Sequence, residues 1–153
     1  MRRSEGASPD RSLLGARIPP AVARRLRADF AGEVGRARLH RGLLARLLTS
    51  IAGADAIVFG RRIYLGAKPA ALVSSHAPEA ASLLAHELAH VRQYRRAGAA
   101  IFLGRYVGEY LGRRLAGAPH ARAYRDLSFE REAEEALRAF EKALEIGDRP
   151  AGS

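Results

Sequence analysis

The chain has 153 residues, 48% of them hydrophobic and 27% charged, enough for one domain with a core of its own. It contains no cysteine, which excludes disulfides and thiolate-bound zinc and leaves histidine and carboxylate as the available metal ligands. The net charge of +10 raises a polyanionic partner, yet Lys68 and Lys142 are the only lysines among 26 basic residues. Arginine and alanine run through the whole chain rather than marking one patch, which argues against nucleic acid.

Residues 1–18 are basic, polar and broken by Gly6, Pro9 and Gly15, and read as a flexible leader. Arg2 and Arg3 are not followed by the ~7–15 apolar residues of a signal peptide, so a cytoplasmic location is the default expectation. Pro19-Pro20 opens a helix expected over 20–32, with Ala21, Val22, Leu26 and Phe30 at helical spacing. A short strand is expected at 37–40 and a second helix at 42–52. Leu43, Leu44, Leu47, Leu48 and Ile51 would form the buried stripe of that helix. Two β-like runs, 56–59 and 63–65, flank Gly60-Arg61-Arg62 and signal a hairpin. The second run is a candidate free edge, where an extended peptide would add as a strand; the alternative is an internal hairpin strand with no substrate role.

A loop is expected at 66–78 and a long helix at 79–97. The next helix, 99–116, places Gly104, Gly108 and Gly112 on one face. Each glycine costs about 0.8–1.0 kcal/mol relative to alanine in a helix interior, so the stripe predicts close approach of a neighbouring helix. Residues 120–128 read as a linker, 129–144 as the last helix and 147–153 as a frayed tail. One domain over 19–146 follows, and no stretch reaches the roughly 18–20 apolar residues of a membrane span.

The motif that organises these elements is His86-Glu87-Leu88-Ala89-His90. Histidines four apart on a helix project from one face, where both can reach a zinc ion at roughly 2.0–2.1 Å. A glutamate directly after the first histidine can serve as general base without being a ligand. Apolar flanks such as Ala81, Leu84, Leu88 and Val91 argue that this helix is buried rather than carrying two surface histidines. Buried imidazoles and a buried carboxylate are costly unless something compensates them, and a metal would. Zinc on two histidines commonly takes a carboxylate as third ligand and keeps one position for water. The acids opening the last helix supply candidates, Glu130 first and Glu132 as its rival. Glu134, one turn after Glu130, can steady a ligating histidine. The competing reading is that these acids merely favour a helix N-terminus.

Ile18-Pro19-Pro20, Ala37-Arg38-Leu39-His40, the run 56–65 and the His-Glu-Leu-Ala-His helix together resemble the eCIS core domain. This bacterial domain is associated with extracellular contractile injection systems and looks like a minimal gluzincin metallopeptidase. The resemblance covers about residues 18–97. It implies an α+β, mostly helical, zincin-like fold, with a small hairpin or sheet before the metal helix and a C-terminal helix carrying the third ligand. It further implies one Zn2+ per chain on His86, His90 and Glu130. Glu134 stands as the supporting acid where gluzincins usually have aspartate. Export through a specialised secretion or contractile injection system is compatible with it.

The expected activity is that of a zinc-dependent endopeptidase acting on a protein or peptide, with Glu87 as general base. Tyr124 and His120 are the candidates for stabilising the oxyanion. The alternative is an interaction or delivery module that keeps the fold with weak or no activity. It would dock an acidic protein or nucleic acid through residues 91–125, which hold eight arginines against the single acid Glu109.

Overall fold

The computed structural model describes residues 15–147. In chain order these form α1 (Pro20–Val34), β1 (Arg38–His40), α2 (Leu43–Ala52), β2 (Ala56–Phe59), β3 (Arg62–Leu65) and α3 (Ala67–Ser75). There follow α4 (Glu79–Ala97), α5 (Ala99–Leu115), α6 (His120–Arg125) and α7 (Ser128–Gly147). The fold is α+β and mostly helical, with one three-stranded sheet in the order β1-β3-β2.

α4 is the central element. A helix enclosed on most sides must be apolar on most sides, and here Ala80, Ala81, Leu84, Ala85, Leu88, Ala89 and Val91 are all buried. The small alanines let other elements approach, and α4 packs against α1, α3, α5, α7 and β2. Glu79 in its first turn and Arg95 and Arg96 in its last suit the two ends of the helix dipole. α1 docks through Val22, Leu26 and Phe30, and Phe30 meets Phe140 of α7 edge to face at 6.3 Å. Glu33 of α1 is buried, with ion pairs to Arg92 at 3.3 Å and Arg95 at 2.9 Å. A buried carboxylate needs such partners, and these fix α1 along α4.

Several expectations are corrected. The stripe of α2 faces outward: Leu43 is 83% exposed and Ile51 78%, with Leu44, Leu47 and Leu48 exposed between them. α2 packs toward the sheet with its small side, Ala45 and Thr49. Periodicity tells which residues share a face, not which face turns inward. Strand 63–65 is central rather than an edge, because β1 pairs with β3 in parallel while β2 pairs with its other side. Nothing lies within 4 Å of a Cβ built on Gly104, Gly108 or Gly112, so among the described residues that stripe packs against no other helix. The expected loop 66–78 holds α3, whose first turn accommodates Pro69, and the expected linker 120–128 holds α6.

The start of the chain differs as well. Residues 15–18, expected in the leader, join the fold: Ala16 bridges to Leu39, and Ile18 is buried in the core. The expected leader positions 1–14 and tail positions 148–153 lie outside the described residues. Among the described residues no helix is long and apolar enough to cross a membrane.

The inverted α2 face gives a direct check. Leu47→Ser should change unfolding free energy by less than about 0.5 kcal/mol, whereas Leu26→Ala, at a fully buried position, should cost about 2–5 kcal/mol. Urea titration of both variants tests this, and a large loss for Leu47→Ser would show that the α2 face is covered.

Candidate metal centre

One turn of α4 separates His86 from His90, and their Nε2 atoms lie 3.2 Å apart. α7 crosses α4 so that Glu130 meets both: Oε2 is 3.5 Å from His86 Nε2, and Oε1 is 3.5 Å from His90 Nε2. His90 and Glu130 are buried and His86 is half-buried. Arms of about 2.05 Å around a tetrahedral ion would hold ligand atoms roughly 3.3–3.4 Å apart. The two Glu130 separations involve different oxygens; with one donor atom from each residue, all three lie within 4.8 Å of one another, close enough for the set to hold a small divalent cation.

The tautomer of His90 supports the same fit. Gln93 Nε2 donates to Phe129 O at 2.9 Å and to Glu132 Oε2 at 3.2 Å, which fixes the amide so that its Oε1 can only accept. Oε1 lies 2.8 Å from His90 Nδ1, so Nδ1 carries the proton and Nε2 is left to face the cluster. Burial disfavours a charged His90, but the accepting Glu130 carboxylate, with the Glu87 charge and the Gln93 bond, more than offsets this and raises its pKa above the ordinary value. Burial likewise pushes the Glu130 carboxyl up, and the hydrogen bonds from His86 and His90 more than reverse it, holding it well below the ordinary carboxylate range. Both shifts have one cause, the close approach of the imidazoles to the Glu130 carboxylate, which favours positive charge on the nitrogens and negative charge on the oxygens.

Glu132, the rival ligand, turns away to Gln93 and to Arg96 at 3.2 Å. Glu134 pairs with Arg138 one turn on, at 3.4 Å, and among the described residues it has no hydrogen bond to either imidazole. Gln93 does the work expected of Glu134. It was legible only as the residue three after His90, on the same helix face. Sequence reading also missed Tyr106, whose hydroxyl donates to Glu130 Oε1 at 3.1 Å.

α5 helps to aim α7. Phe102 stacks between Tyr94 of α4 at 3.9 Å and Phe129 of α7 at 4.5 Å. Glu109 accepts from Ser128 N at 2.7 Å and from Ser128 Oγ at 2.6 Å, closing the start of α7 two residues before Glu130.

Glu87 faces the cleft beside the cluster. Burial pushes its carboxyl up from the ordinary value, against the neighbouring histidines that pull it down. Tyr124 also lines the cleft, and burial followed by the Glu130 charge raises its pKa, so it stays a protonated donor. His120 lies farther along the wall, with Nδ1 2.9 Å from the Tyr110 hydroxyl.

The opposite bank is β2. Gly66 N donates to Asp55 O at 2.9 Å, and with the register Ala56↔Leu65 this sets the alternation of the antiparallel ladder. Asp55, Ile57 and Phe59 bond toward β3, so Ala56 and Val58 turn their N–H and C=O outward. Among the described residues no other element takes those groups. The free edge is therefore β2, not the 63–65 strand, and it borders the cleft.

Fold and site together define an α+β domain with a candidate His-His-Glu metal centre on its central helix. The chain belongs to the eCIS core domain family, whose model matches residues 17–98. No curated protein and no solved structure matches it. The matched span takes in both histidines and Glu87 and ends before Glu130.

Replacing Gln93 with leucine keeps the side-chain volume but removes the partner of His90 Nδ1. Zinc affinity of the variant, read by competition with a chromophoric chelator, should fall about 10–100-fold. Unchanged affinity would show that Gln93 does not orient the ligand.

Proposed function

We propose that this domain is a zinc-dependent peptidase with a zincin-like fold of the minimal gluzincin kind. The observation that carries the reading is the convergence of His86, His90 and Glu130 with Glu87 beside them at the floor of a cleft. Zinc in such a ligand set supplies Lewis acidity and lowers the pKa of water toward about 7. Glu87 is not a ligand, and burial raises its pKa above the ordinary carboxyl value, which suits a group that takes a proton from water and hands it to a leaving nitrogen. Tyr124, on the cleft wall, offers an O–H to a carbonyl oxygen as negative charge develops there. Gln93 and Tyr106 hold His90 and Glu130 in place. The outward N–H and C=O groups of Ala56 and Val58 give an extended peptide a strand to pair with across the same cleft.

A second reading, an interaction or delivery module with little turnover, draws support from the exposed aliphatic face of α2. Its arginine-rich docking surface is less favoured. Six of the eight arginines in 91–125 are paired: Arg92 and Arg95 with Glu33, Arg96 with Glu132, Arg105 with Glu109, and Arg113 and Arg122 with Asp126.

Glu87→Gln separates the two. Under the peptidase reading it should lower kcat by about 100-fold or more while zinc content and the far-UV spectrum stay as in the parent. A variant that cleaves as well as the parent would end this assignment of Glu87, and a parent that cleaves no peptide would favour the module.

A further inference from the structure

The cleft has two unlike ends that share His86, Glu87, Tyr124 and Glu130. One end is bordered by the turn before β2 and by α7, and it is charged on both banks, with Asp55, Arg125, Arg131 and Glu135. The other, about 360 Å³, lies between β2 and α5 and is walled by Val58, Phe102, Leu103 and Val107. Leu103 and Val107 stand one turn apart on α5 and remain 38% and 50% exposed. α5 is fixed in this position by the Phe102 stack on Tyr94 and Phe129 and by the Glu109 bonds to Ser128. A firmly held wall that leaves large aliphatic side chains facing a cleft is a surface that gains by being covered.

The opposite bank names what covers it. Ala56 and Val58 present backbone donors and acceptors that no other element among the described residues takes, and the protein partner that matches a row of such groups at a strand's spacing is an extended chain. Side chains of a strand alternate between faces, so a segment paired with β2 presents every second side chain to one bank.

We propose that α5 is the specificity wall of the site. Leu103 and Val107, with Val58 across from them, receive a bulky aliphatic or aromatic side chain of a peptide segment laid along β2. The proposal rests on the reading of the site as one that takes peptides, and it requires binding only. α5 begins at Ala99, beyond the span 17–98 that the family model matches. The selectivity is therefore supplied by the chain's own continuation past the shared segment.

The test uses the full chain carrying Glu87→Gln, loaded with zinc, and fluorescence anisotropy with two fluorescein-labelled peptides. Both are built from alanine, serine and glycine; one carries a single phenylalanine and the other an aspartate in its place. The phenylalanine peptide should bind at least about tenfold tighter. Adding Val107→Asp or Leu103→Ser should abolish that preference. Leu115→Asp, on the same helix and 88% exposed but away from the cleft, should leave it unchanged. Equal binding of the two peptides, no binding of either up to ~1 mM, or a preference that persists in a folded Val107→Asp or Leu103→Ser protein overturns the proposal. If the parent binds the phenylalanine peptide selectively and does not cut it, the peptidase reading fails and the specificity wall stands.

Discussion

Two imidazoles and a carboxylate, drawn from helices some forty residues apart in sequence, meet at separations of 3.2–3.5 Å, with His90 and Glu130 buried and His86 half-buried. Groups of this kind are not brought together without compensation. A carboxylate and two imidazoles removed from water lose several kcal/mol of hydration, and positive charge between them restores it. Glu130 sits where α7 packs on α4, beside the apolar contact that Ala133 and Phe140 of α7 make with the core. Gln93 bridges the two helices at the same level through Phe129 and Glu132. The candidate metal centre thus lies within the contact between the two helices.

The division of labour along the chain follows from this. The segment matched by the family model, 17–98, comprises α1, the sheet, α2, α3 and the metal helix α4. It supplies two imidazoles, the adjacent Glu87 and the free edge of β2, but no third ligand. The rest of the chain completes the site: α5 brings Tyr106 and the apolar wall, α6 brings His120 and Tyr124, and α7 brings Glu130. Two imidazoles alone hold a divalent ion poorly compared with a set of three donors. The third member of the candidate triad, Glu130, thus comes from a helix beyond the matched segment.

Much of the site could be read from residue types. The His-Glu-x-x-His spacing fixes a shared helix face whatever the fold, and the placement of Glu130 follows from the stripe of α7 three residues on, at Ala133. Support for the ligands was less legible. Gln93 acts through an amide whose orientation depends on Phe129 O and Glu132, contacts that span 36 and 39 residues. The sequence pointed to Glu134 in its place, because an acid one turn beyond a ligand suits that role. Tyr106 was concealed for the same reason, its partner Glu130 being 24 residues away. In the fold, helix limits were close to those expected for α4 and α7, whose apolar patterns are long. The leucines of α2 misled because a strongly apolar stripe ordinarily turns inward, and the small side of that helix meets the sheet instead.

The claim on which all of this turns is that His86, His90 and Glu130 share one divalent ion. Zinc K-edge absorption fine structure with elemental analysis, on the purified full chain and on its His86→Ala variant, addresses it most directly. The account predicts about one zinc per parent chain, with imidazole nitrogens at about 2.0–2.1 Å and carboxylate oxygen at about 2.0–2.2 Å, and no bound zinc in the variant. A parent that holds no zinc when it is offered, or a variant that holds it equally well, would contradict the account.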